Sequence, residues 1–386
     1  MEASGTIKQT QVLTGTYSVA SNLTFDSNDN NEKWLPYQAE VVTLDGGSTG
    51  QILPSGVTNF TFEGFHIQNL GTSIQSGMYL AGGTGYIIRW NVWNNCLQYC
   101  LMGSGVSNSL IDSNTFTNQT PGNFNGTANA YSAINFFYGS SDNTFSHNLL
   151  QNLEGGGIAV ETGPSDPDMS NNVEDRNLAI NVDSNVVDMG AMYMYDARHT
   201  ATGLRITNNK IFNHGGVNYQ TDQTKAIYLD GLTSNVTVTG NICSHCGQFA
   251  IQWHGGDHDI VQNNIFDLST AGIGAGLYQS STGDTGMVGN IFTNNIVYSA
   301  GSFPSSLWTV YVSTEALPTD NANMYFSATG SPIPNSGVVD TNPVLMDPQF
   351  SNPVANDYSL QATSPAFTHI GFPILPTDQG PLPYNP

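Results

Sequence analysis

Positive charge is what this 386-residue sequence has least of: Lys and Arg total 8 against 30 Asp and Glu, a net charge of −22. That excludes a nucleic-acid surface, because affinity for phosphate rests on Lys and Arg. It excludes adsorption to anionic lipid for the same reason. Long apolar runs are missing too, since none approaches the ~18 residues of a membrane span. Cysteine is scarce, with four residues in two close pairs, Cys96/Cys100 and Cys243/Cys246. The second pair reads Cys-Ser-His-Cys, a redox- or zinc-like spacing, but neither pair has the second CxxC partner of a zinc site. Both pairs are expected to be buried or locally bridged. What is present is 41 Gly, many Asn, Ser and Thr, 39% hydrophobic and 10% aromatic residues. That is enough apolar material for a core, under a surface that is polar through amides and hydroxyls, as in secreted proteins that face carbohydrate. The start, Met1-Glu-Ala-Ser-Gly, has neither the basic nor the apolar stretch of a signal peptide. With this composition it is expected to be the start of a processed, extracytoplasmic chain.

The sequence repeats internally. A short alternating strand ends in Asn, followed by two or three mostly apolar residues and a polar turn. The copies end at Asn91, Asn114, Asn148, Asn185, Asn209, Asn241, Asn264 and Asn295, with a degenerate first copy at Phe65. The steps are 23, 34, 37, 24, 32, 23 and 31 residues. A shortest step of 23 with irregular excess is the rhythm of a single right-handed parallel β-helix, whose longer coils carry their surplus as loops. The recurring Asn is expected to stack at a bend, amide on amide. Alternation argues strand, the leucine-rich pattern is absent, and propeller blades need ~40–50 residues. About nine or ten coils are expected, with almost no α-helix. Residues 1–50 are expected to be an N-terminal cap and first strands, 51–300 the core, and 301–386 C-terminal coils and a Pro-rich tail that closes the end or wraps the side.

A second column carries the chemistry. Ala133-Ile-Asn-Phe-Phe137, Gly157-Ile-Ala-Val-Glu161, Ala191-Met-Tyr-Met-Tyr195, Ala226-Ile-Tyr-Leu-Asp230 and Ala250-Ile-Gln-Trp-His254 align without gaps. Their second and fourth residues are large and apolar and point inward, so the third and fifth point outward. Outward then lie Ala159, Tyr193, Tyr228 and Gln252 beside Glu161, Tyr195, Asp230 and His254, with Asp196 at a strand end followed by Arg198 and His199. Acids on adjacent coils raise one another's pKa, which divides a pair into proton donor and carboxylate. Tyrosines offer sugar rings a flat face. The expected catalytic residues are Asp196, Asp230 and Glu161: Asp230 as acid, Asp196 as nucleophile or base held ionised by Arg198. Tyr193, Tyr195, Arg198, His199, Tyr228, Gln252 and His254 are expected to bind substrate, and the loops Thr162–Asn177 and Asn213–Thr224 to wall the cleft. No cofactor is required; Asp166 and Asp168 in Ser-Asp-Pro-Asp are the one place with donors suited to calcium.

Gly190-Ala-Met-Tyr-Met-Tyr-Asp196, Lys225-Ala-Ile-Tyr-Leu-Asp230, Gln252-Trp-His-Gly-Gly256 and Asn263-Asn-Ile-Phe266 resemble the pectate-lyase-like β-helix proteins with glycosidase activity, nearest to glycoside hydrolase families 120 and 141. The tail from Asp347-Pro-Gln-Phe to Gly371-Phe is similar to the tail of that group. The resemblance implies a carboxylate pair, and Asp196 and Asp230 match its positions. Glycoside hydrolysis takes carboxylates about 5 Å apart when retaining and about 6.5–9.5 Å apart when inverting. Asp196 with Asp230 fits the first spacing and Glu161 with Asp230 the second. The alternatives are a polysaccharide lyase or uronate epimerase, using Arg176, Arg198 or Lys225 with His199, His254 or Tyr195 as base, and a non-catalytic glycan-binding fibre. All three readings take a polysaccharide or oligosaccharide as partner.

Overall fold

The computed structural model describes residues 8–384 apart from 73–74, 120–130, 187, 216–223, 247–248, 270–276, 281–285, 311–315 and 335–336. Three short strands and three corners make each coil. Like strands of successive coils pair in parallel into sheets of 12, 12 and 11 strands. There are thus about twelve coils rather than nine or ten. The difference lies at the ends. Lys8–Val12, Gly15–Ser18 and Leu23–Phe25 pair with Glu32–Pro36, Val42–Asp45 and Ile52–Pro54. The chain up to Pro54 therefore supplies two coils of its own. At the other end Thr319–Asn321 and Met324–Ser327 add a last one.

Alternation drives the strands. In the first sheet the inward column runs Phe62, Ile88, Ile111, Phe145, Glu174, Ile206, Val238, Val261 and Phe292, all fully buried. Corners turn on left-handed residues. Asn69, Asn95, Asn118, Asn152, Asn181 and Asn213 stack at one of them with φ of 53–55°, a conformation Asn tolerates better than most side chains.

The expected ladder is present. From Asn91 each Asn donates its backbone N–H and its Nδ2 to Oδ1 of the Asn on the next coil, with amide-to-amide distances of 2.9–3.1 Å. Asn185 is not a rung. Asn177 holds that place between Asn148 and Asn209, and Asn185 is exposed, donating to Glu154 Oε2 at 3.0 Å. The ladder also runs past Asn295 to Asn323, whose backbone N–H and Nδ2 donate to Asp340 Oδ2 at 2.9 and 3.0 Å.

The tail runs back along the side of the solenoid. The Ile370 carbonyl accepts from Asn294, Gly380 N–H donates to the Arg176 carbonyl, Leu382 N–H to Ser113, and Tyr384 packs 5.3 Å from Trp90. Pro365–His369, in this tail, is the one α-helix among the described residues. Cys96 and Cys100 form a disulfide, while Cys243 and Cys246 are buried free thiols. No helix among the described residues is long and apolar enough to cross a membrane.

Candidate active site

The five aligned strands stack in the third sheet in the register their sequences predict. Asn135, Ala159, Tyr193, Tyr228 and Gln252 form one outward column. Glu161, Tyr195 and Asp230 form the next, with His254 one coil further on. Inward, Ile158, Val160, Met192, Met194, Ile227, Leu229, Ile251 and Trp253 belong to the core. That packing fixes the strands and hence the outward side chains.

Asp230 is the centre of this face. Tyr193 OH donates to its Oδ2 at 2.7 Å, Gly231 N–H donates to Oδ1 at 2.7 Å, and His254 Nδ1 lies 2.5 Å from Oδ1. Burial alone would raise this carboxyl, but the hydrogen bonds from His254 and Tyr193, the His254 charge and the Gly231 N–H together hold it below the usual carboxylate value. Glu161 is two coils away, about 9.6 Å at the strand spacing, with Tyr195 between. Its Oε1 accepts from Asn135 Nδ2 at 3.1 Å. Burial and the Asp230 charge push its carboxyl up to about 7, against the pull of Asn135. One acid is pushed down and the other up, the kind of division that acid–base chemistry needs.

Asp196 stands apart from this pair. In register it lies opposite Thr162 and Gly231, one position beyond Glu161 and Asp230. It is fully buried and caps its own turn: Oδ1 accepts from Arg198 N–H and Oδ2 from Thr200 N–H, both at 2.8 Å. The alternation that turns Tyr195 outward turns the next residue away. Asp196, expected as base, therefore does not face Asp230, and Asp230, expected as acid, is the carboxyl held below its usual value, while Glu161 is the one pushed up.

Several expected substrate contacts are also placed differently. Tyr193 and Tyr228 are buried with Ala159, Val186 and Met189 as the floor of the site, their rings 5.3 Å apart. Gln252 is buried beside them. Tyr195 is half-buried, lies between the two acids in register and packs against this cluster. Arg198 pairs with Asp168 at 2.7 Å rather than with Asp196, and His199 pairs with Asp257 at 2.8 Å on the rim. Asp166 accepts from Gly163 N–H at 2.8 Å, so both acids of the Ser-Asp-Pro-Asp segment have partners within the protein. Thr162–Asn177 follows Glu161 in the chain and pairs with Arg198 through Asp168, whereas most of Asn213–Thr224 lies outside the described residues. Asn135, which holds Glu161, was not singled out from the sequence, although it occupies the third position of an aligned strand.

A family model described as right handed beta helix region matches residues 50–228. The chain is a right-handed parallel β-helix. Among solved structures it is similar to the catalytic domain of a GH87 alpha-1,3-glucanase in complex with tetrasaccharides, at 11% identity and TM-score 0.61, over 88% of this chain and 64% of that one. The β-helix described here thus spans just under two thirds of the glucanase chain. It is also similar to an alginate lyase, at 11% identity and TM-score 0.47 over 88% of each chain. A PL6 family polysaccharide lyase from Pseudopedobacter saltans aligns at 10% identity and TM-score 0.48, over 95% of this chain and 94% of that one. At these identities the likeness is one of fold. No curated relative matches the chain in sequence.

Proposed function

We propose that this protein is an inverting glycoside hydrolase acting on a neutral glycan outside the cytoplasm, with Glu161 as general acid and Asp230 as general base. The observation that carries the reading is the single column in which these two carboxyls stand two coils apart and are pushed in opposite directions. The two strand spacings between their backbones, about 9.6 Å, leave room for a water between the carboxyls, as inversion requires. Glu161 gives its proton to the glycosidic oxygen as the bond from that oxygen to the anomeric carbon breaks. A water on the opposite face of the ring forms the new bond and passes its proton to Asp230. His254 and Tyr193 hold the base ionised and aimed.

A neutral substrate follows from charge. A uronate needs a cation to receive its carboxylate. Among the described residues, Arg198, Lys225 and His254 are already engaged by Asp168, Asp188 and Asp230. A net charge of −22 repels polyanions as well. The Cys96–Cys100 disulfide supports an oxidising compartment. The test is a panel of neutral and uronate polysaccharides, α-1,3-glucan included, scored together for new reducing ends and for the ultraviolet absorbance of unsaturated sugars. Reducing ends without unsaturation from a neutral glycan are expected. Unsaturated products would replace the reading with a lyase, and binding without cleavage with a glycan-binding fibre.

A further inference from the structure

The acid–base pair gives the cleft a direction, and the inference here rests on the hydrolase reading above. In an inverting displacement the acid stands on the side of the departing sugar and the water enters from the opposite side. Because Glu161 and Asp230 share one column, the line from base to acid runs along the solenoid axis toward the N-terminal coils. The two continuations of that column differ. Past Asp230 comes His254, which is tied to the base. Past Glu161, one coil further, comes Phe137, since Phe136 pairs with Val160 in register. Phe137 is half-buried and stands outside the hydrophobic core, although the other large apolar residues of its strand, Ile134 and Phe136, are core residues.

Aromatic surface beside the acid and a polar group beside the base are what a departing sugar and an entering water respectively require. A pyranose presents an apolar face that stacks on an aromatic ring. We propose that Phe137 is the leaving-group subsite, where the neutral sugar on the reducing-end side of the scissile bond stacks. The glycan then lies with its reducing end toward the N-terminal coils.

The test compares two probes with the same glycone, the sugar cleaved in the panel: its trisaccharide, which places sugar on Phe137, and its glycosyl fluoride, whose leaving group is a single ion. Phe137→Ala is expected to lower kcat/KM on the trisaccharide roughly fivefold or more, leave the fluoride within about twofold, and be rescued by Phe137→Tyr. Equal loss on both probes, or no loss on the trisaccharide, overturns the subsite. A melt of each variant separates unfolding from lost binding. Glu161→Gln separates the two levels of the reading. Loss on the trisaccharide with turnover of the fluoride kept upholds the acid, because fluoride departs without a proton. Full turnover of both probes by Glu161→Gln overturns the hydrolase reading and the subsite with it.

Discussion

Glu161 and Glu174 lie one coil apart, and burial lifts both carboxyls above the ordinary value. Glu161 is on the outer face of the third sheet, bonded to Asn135, opposite an ionised partner and partly open to solvent. Glu174 is inside the solenoid, in the inward column between Phe145 and Ile206, with no hydrogen-bond partner on either oxygen. Asp183 and Asp259 are fully buried and raised in the same way. A lifted acid is thus common in this molecule and by itself says little about chemistry. What sets the outer face apart is an opposed pair, one carboxyl lifted and one lowered, reachable by a ligand. Glu174, with neither oxygen partnered, is instead kept neutral at a cost to stability.

The sharpest break of this comparison is in turnover. Asp230→Asn and Glu161→Gln are each expected to lower kcat by about 10²-fold or more, measured as reducing ends released. Glu174→Gln should leave kcat essentially unchanged, and a comparable loss there would erase the distinction.

Stability should show the reverse order. Glu174→Met removes an unpartnered buried carboxyl and is expected to stabilise the fold by about 1–3 kcal/mol at pH 7. Folding raises Glu174 above its ordinary 4.5, so its cost is absent below that pH and grows as pH rises above it. The gain in Tm on thermal melting should therefore be large at pH 7 and small at pH 4. A pH-independent gain would mean packing alone.

The pH profile of kcat/KM sharpens the outer-face side. Activity is expected to fall above about pH 7 as Glu161 ionises. His254→Ala removes a group that holds Asp230 down, so the acidic limb should move to higher pH while the alkaline limb stays. An unmoved acidic limb would remove His254 from the site. The smallest effect belongs to Asp196→Ala, which frees the Arg198 and Thr200 N–H groups. It should cost about 1 kcal/mol of stability and change turnover less than about tenfold. A larger loss of turnover would return Asp196 to the chemistry.

Much of this architecture is legible in residue types alone, because a solenoid repeats its geometry and repetition leaves a pattern. The five aligned strands pair in the register their sequences dictate, and the Asn ladder forms where apolar alternation ends. Asn185 resembles a rung for a physical reason. The true rung, Asn177, is preceded by Glu174, an acid in the place of an apolar residue. The segment at Val182 imitates the motif more closely than the real copy does. Asp196 misleads through proximity: one residue beyond Tyr195 the side chain turns inward, which the period of two already requires. The pairing of Arg198 with Asp168 and of His254 with Asp230 depends on loops and side-chain reach across coils, which no linear pattern encodes. The first two coils carry no Asn at the bend, so they lack the residue that marks the others.

The Asn ladder is also a line of parallel dipoles. At every rung the N–H groups point toward the C-terminal end and the carbonyl oxygen toward the N-terminal end. Aligned amides shielded from water reinforce one another, so partial positive charge gathers at Asn323, where the donors have no further rung. That is the condition of an α-helix N-terminus, and it is met as a helix meets it, by an anion. The Asp340 carboxylate accepts from the backbone of Ala322 and Asn323 and from the Asn323 side chain. By the same electrostatics that favours acids at helix N-termini, the solenoid ends on a charged cap that compensates the field accumulated along its length.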